Sequence, residues 1–286
     1  MKRKLSPRGG ARARDGGRGE DSVESLAAEE VDSSASDRGR AGAFGEGGGV
    51  GKVKRTLLVD NYDSYTFNLF QLVHSVTGSE PLVIRNDDYE GYERLKANNE
   101  LLNIILSPGP GRPDREEDFG VCRRILEEAH VPVLGVCLGY QGLGLVYGMQ
   151  VNHSPFGPVH GQVSPVMHTG EHPLFAGIEQ GFRVVRYHSL ALCNKDGSAA
   201  DFPAHLEKIA WTQDGVIMAA GHRDLPLWGV QFHPESVCSE HGDTILRNFH
   251  NLSVASATSA CSAHSAHAAH VDPARTEPVI EEEAGE

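Results

Sequence analysis

The stretch that most constrains this chain is 131–148, VPVLGVCLGYQGLGLVYG. It opens on an apolar run, Val131, Val133, Leu134 and Val136, of the kind shown by a strand buried on both faces. Cys137 follows at once, between Gly135 and Gly139, and then comes a segment able to coil into a helix. A nucleophile at the centre of G-x-C-x-G has the logic of a nucleophile elbow: the strand-to-helix turn leaves no room for bulky neighbours, so glycines flank it. The side chain is held out at the carboxyl edge of the sheet, at a helix N-terminus whose positive dipole end favours thiolate. The plain alternative for this stretch alone is a buried structural Cys on a core strand.

A Cys that attacks needs a base, and the base needs a third group to fix its tautomer. About a hundred residues on, 228–235 reads WGVQFHPE. Val230 and Phe232 alternate with Gln231 and His233, which predicts a strand ending near His233. Pro234 is expected to hold the chain extended, so that His233 and Glu235 point the same way. A third piece is 103–113, NIILSPGPGRP. Here a strand runs into a loop stiffened by two prolines, while Gly109 and Gly111 let its backbone approach a ligand. Free N–H groups on such a loop suit a developing oxyanion; a simple Pro/Gly turn is the alternative.

Taken together, GVCLGYQ, SPGPG, RYHSL (186–190) and QFHPES (231–236) resemble the triad, or class I, glutamine amidotransferases. NYDSYTFNLF (61–70) is similar to the chorismate-using branch, the amidotransferase units of aminodeoxychorismate synthase and anthranilate synthase. The resemblance runs from about Thr56 to Leu252, with all five motifs in the family's order. It implies Cys137 as nucleophile toward the side-chain amide of glutamine, His233 as base and then acid, and Glu235 as the group orienting His233. It also implies that Leu138 and the Gly109, Pro110 and Gly111 loop supply the oxyanion hole. Gln141, Ser189 and Leu190 would hold the amino-acid end of the substrate. His188 is a rival base in principle and is read as structural. Tyr140 stands where the branch commonly has His, and is expected to tune packing rather than abolish activity.

Strands alternating with helices over 56–136, the helices including one patterned through Tyr65, Leu69, Leu72, Val73 and Val76 and one over 119–129, predict an α/β fold, a twisted open and mostly parallel sheet with helices on both faces. Sites in such sheets lie at the carboxyl edge of the strands, where Cys137 and the 108–111 loop both fall. Beyond Met149 the pattern changes to short strands, expected to be partly antiparallel, and 244–252 is predicted to close the domain as a helix. The domain is thus placed at 54–252, with disordered tails at 1–53 and 253–286, both of low-complexity composition. Gly47 to Lys52 is rejected as a phosphate-binding loop, because Glu46 and Val53 occupy positions that need Gly and Ser/Thr. Cys261, His264, His267 and His270 sit three apart, but a linker with no ordered surroundings is a better reading than a metal site.

A net charge of −13 without a basic cluster in the domain argues against nucleic acid. Five Cys at positions 122, 137, 193, 238 and 261 form no disulfide framework and fit a reducing compartment. No apolar run is long enough to span a membrane. The expected compartment is cytoplasmic or plastid, since the basic start leaves room for a transit peptide although acids follow it. No cofactor or metal is expected in this chain, with Mg only on the synthase partner. The family implies a chorismate-using synthase subunit, or a C-terminal synthase domain missing from this sequence, because the residues after 252 are too few and too polar to supply one. Stretches 82–87 and 229–242 favour the aminodeoxychorismate branch over the anthranilate one; a non-catalytic binding module would be expected to lack part of the triad.

Overall fold

The computed structural model describes residues 53–196, 198 and 202–268, the last nine of these by their backbone alone. The expected amino-terminal tail and nearly all of the acidic end lie outside the described residues, as do the side chains of the Cys261 and His repeat. The strands are β1 Arg55–Asp60, β2 Leu82–Arg85, β3 Leu101–Leu106, β4 Val133–Val136, β5 Val151–His153, β6 Val159–His168, β7 Phe182–His188, β8 Leu190–Leu192, β9 Leu206–Thr212, β10 Ile217–His222 and β11 Leu227–Val230. The helices are α1 Thr66–Thr77, α2 Tyr89–Ala97, α3 Glu116–Phe119, α4 Val121–Glu128, α5 Leu138–Val146 and α6 Gly242–Ala268.

Nine strands form one sheet in the order β2-β1-β3-β4-β11-β10-β9-β6-β7, and β5 pairs with β8 in a separate ladder. From β2 to β11 all neighbours are parallel. From β11 outward through β7 they are antiparallel. The expected α/β sheet is therefore present, with a parallel half that carries helices and an antiparallel half built from hairpins.

Period-two alternation in the parallel strands splits the core into two faces. Leu58, Ile105 and Leu134 point to one side, where Leu69 and Val73 of α1 and Ile245, Leu246 and Phe249 of α6 cover them. Leu57, Val59, Ile104, Leu106 and Val133 point to the other, under Tyr92 and Leu95 of α2, Ile125 and Leu126 of α4 and Leu143 of α5. Helices thus lie on both faces. Gly78 ends α1 in a left-handed conformation, φ 71°, with its N–H donating to His74 O at 2.8 Å.

The structure departs from the sequence expectations in three places. The helix predicted over 119–129 begins only at Val121, and a separate short helix, α3, ends at Phe119, because Gly120 (φ 43°) passes so close to Asn86 O that a Cβ there would lie 2.1 Å from it. The closing helix does not stop at Leu252 but continues to Ala268, so the 253–286 segment begins helical. Ser253 lies fully buried on that continuation, its hydroxyl donating to Phe249 O at 2.8 Å. The strand expected to reach His233 ends at Val230; a turn follows, with Ser236 N–H donating to His233 O at 3.2 Å, so Pro234 sits in a turn and not in extended chain.

Candidate active site

Four parallel strands deliver the site. β1, β3, β4 and β11 end side by side, with Val59 opposite Leu106 and Val136 opposite Val230. The residues one step past each end, Asn61, Ser107, Cys137 and Gln231, therefore meet at the carboxyl edge.

Cys137 has φ 50° and ψ −95°, a conformation side chains rarely adopt, and it directly precedes α5. Its N–H donates to Val230 O at 2.8 Å, and its own carbonyl accepts Gln141 N–H at 2.9 Å. The turn closes because its flanking positions carry no side chain. A Cβ on Gly135 would lie 2.4 Å from Gly139 C, and one on Gly139 2.6 Å from Leu106 O. The elbow read from G-x-C-x-G is present, and the thiol lies at the start of the helix as expected.

His233 and Glu235 are both buried, and His233 Nδ1 is 2.5 Å from Glu235 Oε1. A carboxylate can only accept, so Nδ1 carries the proton and Nε2 is left free to act. Nε2 is buried without a hydrogen bond, and besides Glu235 the group that acts most on the imidazole is the Cys137 thiol. Burial pulls the imidazole pKa down, but the Cys137 sulfur and the Glu235 carboxylate outweigh it and hold His233 well above the ordinary histidine range. A proton taken from the thiol would therefore rest on His233. The turn after His233 is pinned to β7, with Ser239 Oγ donating to His233 O at 2.6 Å and accepting Val185 N–H at 3.0 Å.

The loop after β3 is held by Asn61. Its N–H donates to Ser107 Oγ at 2.9 Å and its Nδ2 to Ser107 O at 2.9 Å. A Cβ on Gly109 would sit 2.6 Å from Asn61 Cβ and 2.9 Å from Leu138 Cδ2, so Gly109 is the loop residue brought up to the elbow. Pro110 and Gly111 are exposed, and Gly111 (φ 87°) lies against Asp118. The N–H of Leu138 opens α5 and has no earlier turn to bond to.

Gln141 is one turn into α5 and buried; its Nε2 donates to Leu190 O at 3.1 Å and to Gln231 Oε1 at 3.2 Å. Leu190 thus meets Gln141, whereas Ser189 turns its hydroxyl to His160 Nε2 at 3.2 Å. The rival base is disposed of by its bonds. His188 Nε2 accepts Arg186 Nε–H at 3.2 Å and its Nδ1 faces Leu190 O at 2.9 Å, so its lone pair is already used. Tyr140 is wholly buried among Met149, Val151, Leu192 and Ile217, with its hydroxyl donating to Ile217 O at 3.2 Å.

Two residues escaped the sequence reading. Gln231 Nε2 lies 3.6 Å from Cys137 Sγ, and the Tyr187 ring stands edge-on to His233 at 6.1 Å. The alternation that predicted His233 on one side of a strand put Gln231 there as well, so that signal was available even though the strand ends at Val230. Among the described residues no His, Cys, Asp and Glu gather as a metal site, and no helix is long and apolar enough to cross a membrane.

The family model of the class I glutamine amidotransferases matches residues 57–252. Aminodeoxychorismate synthase of Streptomyces griseus is 52% identical over 199 residues, which cover 70% of this chain and 26% of that protein. Anthranilate synthase component 2 of Methanothermobacter thermautotrophicus is 43% identical over 199 residues, covering 68% of this chain and 96% of that one. The chain therefore spans about a quarter of the length of the aminodeoxychorismate synthases it matches. In fold it resembles the solved structure of a Thermoplasma acidophilum protein assigned as part of a GMP synthase, with TM-score 0.62 and 23% identity, covering 72% of this chain and 96% of that one. The matched span takes in the elbow, the loop that faces it and the turn that brings His233 and Glu235 up to the thiol; the chain belongs to the class I glutamine amidotransferases.

Proposed function

We propose that this chain hydrolyses glutamine through a Cys137 thioester and passes the ammonia to a chorismate-using synthase that makes 4-amino-4-deoxychorismate. The observation that carries the reading is the His233 pair: Nδ1 on Glu235 at 2.5 Å and a buried, unbonded Nε2 on the side of the thiol. Cys137 Sγ attacks the side-chain carbonyl of glutamine as His233 Nε2 takes the thiol proton. The N–H groups of Leu138 and the Gly109 loop stabilise the oxyanion. His233 returns the proton to the departing nitrogen, ammonia leaves, and a γ-glutamyl thioester remains. Water, deprotonated by His233, then releases glutamate. These steps call on side chains and backbone only, so magnesium is assigned to the synthase.

Ammonia is largely protonated at neutral pH and inert in that form, so it must reach its acceptor within a complex. Exposed Tyr65, Tyr187 and Val237 border the same cavity as His233 and Glu235, and exposed Tyr62 and Phe67 flank Tyr65 in sequence. Such a patch suits a partner surface, either a separate subunit or a synthase region of a longer chain. The 52% identity to an aminodeoxychorismate synthase favours the folate branch. The end-to-end match to anthranilate synthase component 2 supports the second reading, ammonia for anthranilate. The compartment is read as cytoplasm or plastid; a relative from Arabidopsis thaliana is named chloroplastic.

Incubation with a chloroketone analogue of glutamine should modify Cys137 and spare Cys122, Cys193, Cys238 and Cys261, the first two of which are buried. Cys137→Ser should lose glutamine hydrolysis altogether. Retained hydrolysis, or labelling at another Cys, would refute the assignment. Product analysis with chorismate and the synthase then separates aminodeoxychorismate from anthranilate.

A further inference from the structure

The glutamine-hydrolysis reading leaves a buried cation unexplained. Arg186 on β7 is almost wholly buried, yet no reacting group touches it. Its Nη1 pairs with Asp214 at 3.3 Å, Nε donates to His188, and Nη2 is buried with no partner at all. A buried donor left unpaired costs stability, and an apolar chain of similar length would avoid that cost. What Arg alone supplies here is a donor to His188 Nε2.

That donor has a traceable consequence. Arginine cannot accept a hydrogen bond, so His188 Nε2 must be the bare nitrogen and Nδ1 must carry the hydrogen. Nδ1–H then donates to Leu190 O at 2.9 Å. The same carbonyl accepts Gln141 Nε2 at 3.1 Å, Gln141 also bonds Gln231, and Gln231 Nε2 reaches Cys137 Sγ at 3.6 Å. Burial and then the Arg186 charge hold the His188 imidazole down to about 4, so it stays neutral with that one tautomer at working pH. Thr212 in turn orients Asp214 through its hydroxyl.

We infer that Arg186 and His188 are positioning residues: by locking one histidine tautomer they fix the Leu190 carbonyl and the Gln141 side chain, and so set the affinity for glutamine. The inference rests on the proposed glutamine chemistry, yet it predicts something separate, a change in binding and not in the reacting groups. Removing the hydrogen bond to Leu190 should loosen the substrate grip in ground and transition state alike.

The test uses the full 286-residue chain and the saturation kinetics of Cys137 modification by the chloroketone analogue. His188→Leu should raise the half-saturating concentration about tenfold while the limiting rate at saturation stays within about twofold. His188→Asn, whose Nδ2 falls where the imidazole Nδ1 was, should restore most of the affinity. Arg186→Met, which frees the tautomer without deleting the donor, should show a smaller rise of about threefold. A half-saturating concentration in His188→Leu close to that of the native chain overturns the inference. So does a His188→Asn no better than His188→Leu, or fewer labelled molecules at unchanged half-saturation, which marks a folding role alone. If the native chain is not modified at Cys137, the parent reading falls and takes this one with it.

Discussion

Glu235 acts on one atom of its neighbour, and the sign of its effect on His233 yields a measurable shift. The carboxylate helps raise the imidazole above its ordinary range. Glu235→Gln removes that contribution, so the imidazolium that protonates departing ammonia is lost at lower pH. The alkaline limb of kcat/KM for glutamine should move toward neutrality, measured as a pH–rate profile; the limb belongs to the Cys137–His233 pair as a unit. An unmoved limb would remove Glu235 from this role. His233→Ala should lose about two to four decades of hydrolysis, while added ammonium still supports the synthase partner. At this scale the sequence was informative because chemistry demanded rare residue types: a Cys between glycines, a His beside a carboxylate. Gln231 and Arg186 were harder to see, because a Gln or an Arg has many ordinary uses and only their contacts give these two a purpose.

Among elements, the β4–α5 elbow tolerates added atoms poorly. Gly139→Ala would place a methyl 2.6 Å from the Leu106 carbonyl oxygen, a backbone atom that cannot swing aside. It should cost about 2–3 kcal/mol, read as a fall in the urea midpoint. Gly78→Ala is the control: nothing lies within 4 Å, so only its left-handed conformation resists, at about 1 kcal/mol. Helix α4 is tied to α2 through Glu128, which takes Lys96 Nζ at 2.6 Å, Arg124 Nε at 2.9 Å and the Tyr92 hydroxyl at 2.9 Å. Burial opposes ionisation of Glu128, but Lys96, then Arg124 and Tyr92, outweigh it and bring its carboxyl down to about 2. The stabilisation is present above the unfolded carboxyl value near 4.5 and is lost as pH falls through about 2. Glu128→Gln should therefore lower stability by about 1 kcal/mol at neutral pH, with the gap to the native chain closing near pH 2 in thermal melts. Elements with a clean apolar period, such as α1, were legible in advance. Helix α2 was not, because YEGYERLKA is mostly polar and only Gly91, Tyr92 and Leu95 are buried. Nor was the break at Gly120, which depends on a carbonyl from a distant segment.

For the whole molecule, sequence pattern announced strands alternating with helices but not that β11, late in the chain, inserts beside β4 in the middle of the sheet. Such order is decided by which edges pair, a non-local matter that no window of sequence contains. The same architecture exposes Tyr62, at φ 58°, next to Asn61, whose hydrogen bonds hold the loop that carries Gly109. On the proposed function, a partner pressing on that turn would move the oxyanion donors. Glutamine hydrolysis should therefore rise by about one to two decades when the synthase and chorismate are added. Equal rates with and without them would leave Asn61 to Ser64 as a simple helix entry. Because α6 runs on past Leu252 with Ser253 buried, a chain cut after 252 should melt lower than one cut after 259.

The insertion of β11 also sets a timetable. During synthesis the thiol leaves the ribosome 96 positions ahead of His233. At ordinary elongation rates that interval is roughly 5 to 20 s. Throughout it the Cys137 amide has no Val230 carbonyl to bond, and no imidazole stands over the sulfur. On the proposed function, a nascent chain should thus consume no glutamine, because the last-made strand and the turn after it arm the nucleophile. Ribosome-bound chains halted before Trp228 should resist the chloroketone, whereas chains extended through α6 and clear of the exit tunnel should react.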